Sequence, residues 1–158
     1  MNQAARLRLI GLSSRSNVVV ERVLRSRFHW LLSAGLLLLT VTGRRSGRRY
    51  TIPVGYHESD GAIVVFVGEP ATKTWWRNYR TPSPVELLHR SRHIAGTARV
   101  IGSDEPDYRR LAEAVFRRAS MVARIFDVRF DASKGLSPAQ LRELAPRLVI
   151  VRIDASRA

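Results

Sequence analysis

The sequence predicts a mainly β, antiparallel fold: a six-stranded barrel with helices at its periphery. Strand-like runs follow one another through tight turns from residue 36 to residue 101. No strand–helix–strand alternation signals parallel crossovers, and no internal repeat is present. Leu148–Ile153 supplies a last, fully apolar strand. At 158 residues the chain fits one domain, 1–158, with enough length to bury a core.

Residues 1–15 are polar and basic, a frayed terminus or a short amphipathic arm. Ser16 or Asn17 caps an expected helix over 16–33, with Gly35 as its stop signal. Val20, Val23, Leu24 and Leu31 share one face, bordered by Arg22, Arg25 and Arg27. Such a helix packs on a sheet or lies on an anionic membrane surface. Leu36–Val41 is too short for a membrane span and suits a buried strand. Tyr50, Ile52, Val54 and Tyr56 alternate with Thr51, Pro53 and Gly55, a half-buried strand.

Glu58-Ser59-Asp60-Gly61 reads as a turn, Ala62–Val67 as an apolar strand, and Gly68–Thr72 as a loop. Thr74 caps an expected short helix in which Trp75 shares a face with Asn78 or Tyr79. Adjacent Trp75 and Trp76 cannot both point into the core, which leaves one to line a pocket. Pro82 and Pro84 precede a strand over Val85–His89, and Ser91-Arg92 turns it into Ile94–Ile101. Gly96 there marks a bulge or a close backbone approach. Asp104 caps an expected long helix with Tyr108, Ala112, Val115, Ala119, Val122 and Phe126 on its buried face. Asp127–Gly135 is a loop, and Ser137-Pro138 opens a short helix ending near Ala145.

The net charge of +14 is almost wholly arginine, Lys73 and Lys134 being the only lysines. It calls for an anionic partner: nucleic acid, acidic lipid or a multiply charged small ligand. The charge is concentrated where chemistry is most visible, at Thr42-Gly43-Arg44-Arg45-Ser46-Gly47-Arg48-Arg49 between two strands. Gly43 and Gly47 allow the tight connection. Up to four guanidiniums, a hydroxyl and backbone N–H groups then suit a phosphate or carboxylate, or else the segment is an ordinary hairpin with solvated arginines.

The second informative stretch is Lys73-Thr74-Trp75-Trp76-Arg77-Asn78-Tyr79-Arg80. An aromatic, basic barrel can also stack single-stranded bases, but these aromatics cluster instead of spreading along strands. No cysteine is present, which excludes disulfides, thiolate metal sites and cysteine nucleophiles. His29, His57, His89 and His93 lack metal-ligand spacing, and no carboxylate pair or nucleophile motif stands out. Hard chemistry, if any, falls to a bound cofactor. The N-terminus lacks the pattern of a signal peptide, so a cytoplasmic location is expected, with membrane association if the N-terminal helix lies on lipid.

Leu39-Thr40-Val41-Thr42-Gly43-Arg44-Arg45-Ser46-Gly47, Pro53 and Tyr56, Lys73-Thr74-Trp75-Trp76-Arg77-Asn78, and Gly96-Thr97-Ala98-Arg99-Val100 together resemble the deazaflavin-dependent nitroreductase family. Those proteins are split β-barrel oxidoreductases related to flavin-binding split barrels. The resemblance covers roughly residues 16–101 well and the final strand moderately, and its specificity lies in the two motifs as a pair. It implies an F420-dependent oxidoreductase passing a hydride to a quinone-like or nitroaromatic acceptor. The basic hairpin (Thr42, Gly43, Arg44, Arg45, Ser46, Gly47) would grip the phosphate and acidic tail of the coenzyme. Trp75 and Asn78 would lie by the ring and ribityl portion, with Pro53 and Val54 on the strand beneath, Lys73 as a second anion contact and Gly68 nearby. Relatives of the wider superfamily bind FMN or haem, some without catalysis, which keeps a non-catalytic binding module as the alternative. A small-molecule electron acceptor and a second copy of the chain, as a homodimer, are the expected partners. Other members carry C-terminal tyrosines near the acceptor; here only Tyr108 follows Ile101.

Overall fold

The layers are set by β4, whose seven residues Ala62–Gly68 are all buried. The computed structural model describes residues 35–156, so the expected N-terminal arm and helix, His29 included, lie outside the described residues. Seven strands form one antiparallel sheet: β1 (Leu36–Thr42), β2 (Arg49–Gly55), β3 (His57–Ser59), β4, β5 (Ser83–His89), β6 (Arg92–Ile101) and β7 (Leu148–Ala155). Their order is β2-β1-β5-β6-β7-β4-β3. The two edge strands, β2 and β3, are separated in the chain by Tyr56 alone. The sheet therefore curls until its edges adjoin, as a strand that bends round a corner requires. It is a split barrel.

The expected barrel is thus present with seven strands instead of six. His57–Ser59, of which Glu58 and Ser59 were expected within a turn, pairs with Ala62–Val64 as β3. The turn shrinks to Asp60-Gly61, both at positive φ (53° and 73°), the two-residue connection whose twist matches a hairpin. The β5–β6 turn shifts likewise to Arg90-Ser91 (φ 48° and 62°), so that His89 pairs with Arg92. Gly96 is a close approach and not a bulge, since β6 keeps register with both neighbours. A Cβ there would stand 2.6 Å from the Asp154 carbonyl oxygen.

Tyr56 holds the corner. Its N–H donates to the Gly35 carbonyl at 3.2 Å, and its hydroxyl lies 2.7 Å from His89 Nε2. Inside the barrel, Ile63, Val65 and Val67 of β4 meet Leu37, Leu39, Val54, Leu87 and Val151. On the other face, Val64 and Phe66 meet the helices through Tyr108, Leu111, Phe116 and Phe126. Each such fully buried side chain contributes about 1.5–3 kcal/mol.

Among the described residues the α-helices are α1 (Pro106–Arg118), α2 (Ser120–Ile125) and α3 (Pro138–Leu144). The single long helix expected over this stretch is broken at Ala119 (φ −137°, ψ 78°). The apolar periodicity survives the break because Val122 and Phe126 remain buried, Phe126 packing edge-on against Phe66. Ala119 itself is only half-buried. Glu105, not Asp104, is the N-cap of α1. Its carboxylate turns back to accept from Gly102 N–H at 2.6 Å and to pair with Arg99 at 2.9 Å, so it does not cap the helix. These bonds hold Glu105 below the usual carboxylate range. Ser137 does cap α3, reciprocally with Gln140, as expected.

Two histidines couple the corner to pH. Burial lowers the His57 pKa, with Arg118 adding to the effect. Burial also lowers that of His89, reinforced by Arg90 and partly offset by Glu58. The unfolded chain takes up these protons first, near pH 6.5. The stability they support is therefore complete above about pH 6.5 and is lost as pH falls through the lower folded pKa values. Urea midpoints measured from pH 7.5 to pH 5 should fall, and His57→Phe should flatten the slope; a profile equally steep in the variant would contradict this.

Candidate functional site

A hairpin rich in arginine needs a rigid support if its charges are to act together. The β1–β2 connection is closed by Gly43 N–H donating to the Arg48 carbonyl at 2.9 Å and Gly47 N–H donating to the Gly43 carbonyl at 2.8 Å. Gly47 sits at φ 64°. Ser46 Oγ accepts from Arg48 N–H at 3.3 Å and lies where a Cβ on Gly43 would fall, 2.8 Å away. Gly47 is thus required by the backbone of the loop, and Gly43 leaves the space that Ser46 Oγ fills.

The support is the segment Trp75–Tyr79, the expected short helix, which forms as a 3₁₀ turn. Thr74 precedes it without a side-chain cap bond. Trp76 is the inward tryptophan: it is buried, its Nε1–H donates to the Pro70 carbonyl at 3.0 Å, and Arg77 and Arg80 stand 5.7 and 5.2 Å from its ring centre. Trp75 is the half-exposed one, meeting Tyr79 edge-on at 6.2 Å. Buried Trp76 and Tyr79 form no outward stacking platform for bases.

The two motifs, 34 residues apart in sequence, meet in space. Arg44 N–H donates to Asn78 Oδ1 at 3.0 Å, and Asn78 Nδ2 donates to the Trp75 carbonyl at 2.8 Å. Arg44 Nη1 also reaches the Arg77 carbonyl at 3.4 Å. Asn78, expected as a ligand contact, spends one donor and one acceptor tying hairpin to turn. Each of its polar atoms keeps capacity for a second bond. The backbone partners of Arg44 are not visible in any residue pattern; the paired occurrence of the motifs was the one signal for this link.

Of the four guanidiniums, Arg49 is taken by Glu86 at 2.5 Å across the sheet. Among the described residues no carboxylate pairs with Arg44, Arg45 or Arg48, all exposed. Thr42 closes β1 opposite Arg49 at the base of this group. Burial lowers the ammonium pKa of Lys73 at the entry to the turn, with Glu69 pulling it back up. Three expected residues do not join the group. Val54 is core, Pro53 lies beside it opposite Leu38, and Gly68 ends β4 with its α-carbon facing the Phe126 ring, 3.5 Å from where a Cβ would be. Tyr108 is structural as well: buried, its hydroxyl donates to the Leu148 carbonyl at 2.8 Å, and burial raises its pKa.

The model of the F420H(2)-dependent quinone reductase family matches residues 14–126. The chain belongs to that family. It is accordingly an oxidoreductase whose cofactor is coenzyme F420. No curated protein sequence matches it. The F420-H2-dependent reductase FDR-A is similar in fold at 18% identity and a TM-score of 0.50, over 77% of this chain and 93% of that one. HutZ, a haem storage protein from Vibrio cholerae, is similar at 10% identity and a TM-score of 0.52, over 82% and 87%. At such identities the likeness is one of fold, the split barrel already described. The donor set fits the family's coenzyme: three guanidiniums that have no carboxylate partner among the described residues, and a serine hydroxyl, on one braced loop suit a phosphate and a carboxylate chain.

The brace is testable without any ligand. Asn78→Ala should leave the barrel folded, with a loss of about 1–2 kcal/mol for the two amide bonds. Hydrogen exchange at Arg44 N–H should speed up at least tenfold while β4 amides keep their protection. Unchanged exchange at Arg44 would mean that the hairpin does not depend on the turn.

Proposed function

We propose that this family member transfers a hydride from reduced F420 to a small quinone-like or nitroaromatic acceptor. In this reading Arg44, Arg45 and Ser46, with Thr42, Gly43 and Gly47 shaping the loop, hold the phosphate and acidic tail. Lys73 adds a second cation, and Trp75 with Asn78 borders the ring. When bound, the coenzyme supplies the two-electron hydride chemistry that no side chain here provides. The residues of the chain bind, orient and balance charge. The observation that carries the reading is the Arg44 N–H to Asn78 Oδ1 bond, which joins the cationic loop to the aromatic turn as one surface. The half-exposed face of Trp75 then offers a flat apolar wall beside the cations, matching a ligand that is planar at one end and acidic at the other.

The Arg44→Ala, Arg45→Ala double variant tests it. Each lost charge-assisted contact should weaken F420 binding by about 10- to 100-fold, since such contacts contribute about 1.5–3 kcal/mol. Melting temperature should hardly move, because exposed turn arginines contribute little to folding. Added salt should weaken the wild type by the same route. Retained affinity together with a lowered melting temperature would sink the assignment.

A further inference from the structure

Where the helical run breaks at Ala119, the chain opens a cavity. It holds about 480 Å³, within the range of small-ligand sites. One wall is the β2–β3 corner with Tyr56, His57 and Glu58; the other is α2 with Met121, Val122 and Ile125. Tyr56 and the basic hairpin stand at opposite ends of β2, seven residues and so ~20 Å apart. This cavity is thus separate from the site at the hairpin.

Its lining is two-faced. Met121 is 55% exposed and Ile125 38%; with Tyr50 they are the exposed large hydrophobic residues among those described. Two of the three therefore border one cavity, where burial under a ligand would remove them from water. Opposite stand Arg90 and Arg118. Arg90 faces the Glu58 carboxylate at 3.4 Å. Arg118 donates from Nη1 to the Glu58 backbone carbonyl at 2.6 Å, and among the described residues no carboxylate neutralises it. The bond to a main-chain oxygen fixes the guanidinium in place and leaves its charge uncompensated. Among the described residues, the lining carries two positive charges against one negative. His57, held neutral by burial and by Arg118, adds a ring nitrogen and no charge. One anionic group fits that balance, and an apolar body fits the α2 wall.

We infer that the cavity between the β2–β3 corner and α2 binds an amphipathic organic monoanion, with its acidic head on Arg118 and its apolar chain against Met121 and Ile125. Glu58 sets the limit on charge: a dianion would face it uncompensated, whereas a monoanion completes the set. The break at Ala119 is what makes the space. An uninterrupted helix through residue 126 would carry Met121 and Ile125 in a different direction and leave no corner to line.

Isothermal titration with decanoate, kept below its micelle concentration, reads the proposal on the full chain. One saturable site per chain is expected, with decanol, of the same length but neutral, binding at least tenfold more weakly. Arg118→Gln and Met121→Glu should each weaken decanoate at least tenfold. Both positions are exposed, and a circular dichroism melt shows whether each variant is folded. F420 affinity should be the same in wild type and both variants, since neither residue belongs to the hairpin. Non-saturating heat, decanol binding as tightly as decanoate, or variants that bind like the wild type would each overturn the inference. A second variant pair, Ile125→Glu with Arg90→Gln, keeps the test open should Met121→Glu fail to fold.

Discussion

The architecture of the candidate site depends on one side chain that makes no contact with a charged group. Asn78 accepts from Arg44 N–H and donates to the Trp75 carbonyl, so a loop and a 3₁₀ turn from distant parts of the chain become one rigid piece. Without such a brace, a loop carrying Arg44, Arg45 and Arg48 would spread by mutual repulsion. An arginine cluster binds an anion well only when the ordering cost has been met before the ligand arrives. The turn is in turn anchored by buried Trp76 and Tyr79, which belong to the barrel core. The chain of dependence runs from core packing to turn, from turn to hairpin, and from hairpin to charge.

The barrel contributes in a second way, by its corner. Tyr56 bends the chain from one edge of the sheet to the other, tied to Gly35 and His89. The bend closes the core around Val65 and Val151 and at the same time creates a wall that α2 does not fully cover. The hairpin and the cavity are therefore at the two ends of the same strand, β2. Strength at one end of β2 comes from hydrogen bonds to a turn, and at the other from the hydrogen bonds of Tyr56 to Gly35 and His89.

Much of this was legible in the residues, and the parts that were not have physical causes. Period-2 alternation found β2, continuous apolar runs found β1, β4 and β7, and the capping signal at Ser137 found α3. The third strand was missed because Glu58-Ser59-Asp60-Gly61 has turn composition, while pairing across the two-residue Asp60-Gly61 turn decides the conformation of the first two. The break at Ala119 was invisible because the buried positions keep helical spacing across it. At the candidate site, the sequence pointed to two stretches that the structure brings together, and to one tryptophan inside with one left over. It could not show that Arg49 is paired with Glu86, a partner 37 residues away, nor that Val54 is buried in the barrel and Gly68 faces the Phe126 ring. Those assignments depend on which strands adjoin, and strand order is set by the whole chain.

The most direct measurement is the crystal structure of the chain with F420 bound. The account predicts phosphate or carboxylate oxygens within hydrogen-bonding distance of Arg44, Arg45 and Ser46, the deazaflavin ring beside Trp75, and the Arg44 to Asn78 bond intact. Coenzyme density elsewhere, with the hairpin arginines turned to solvent and the Arg44 to Asn78 bond unchanged, would contradict it.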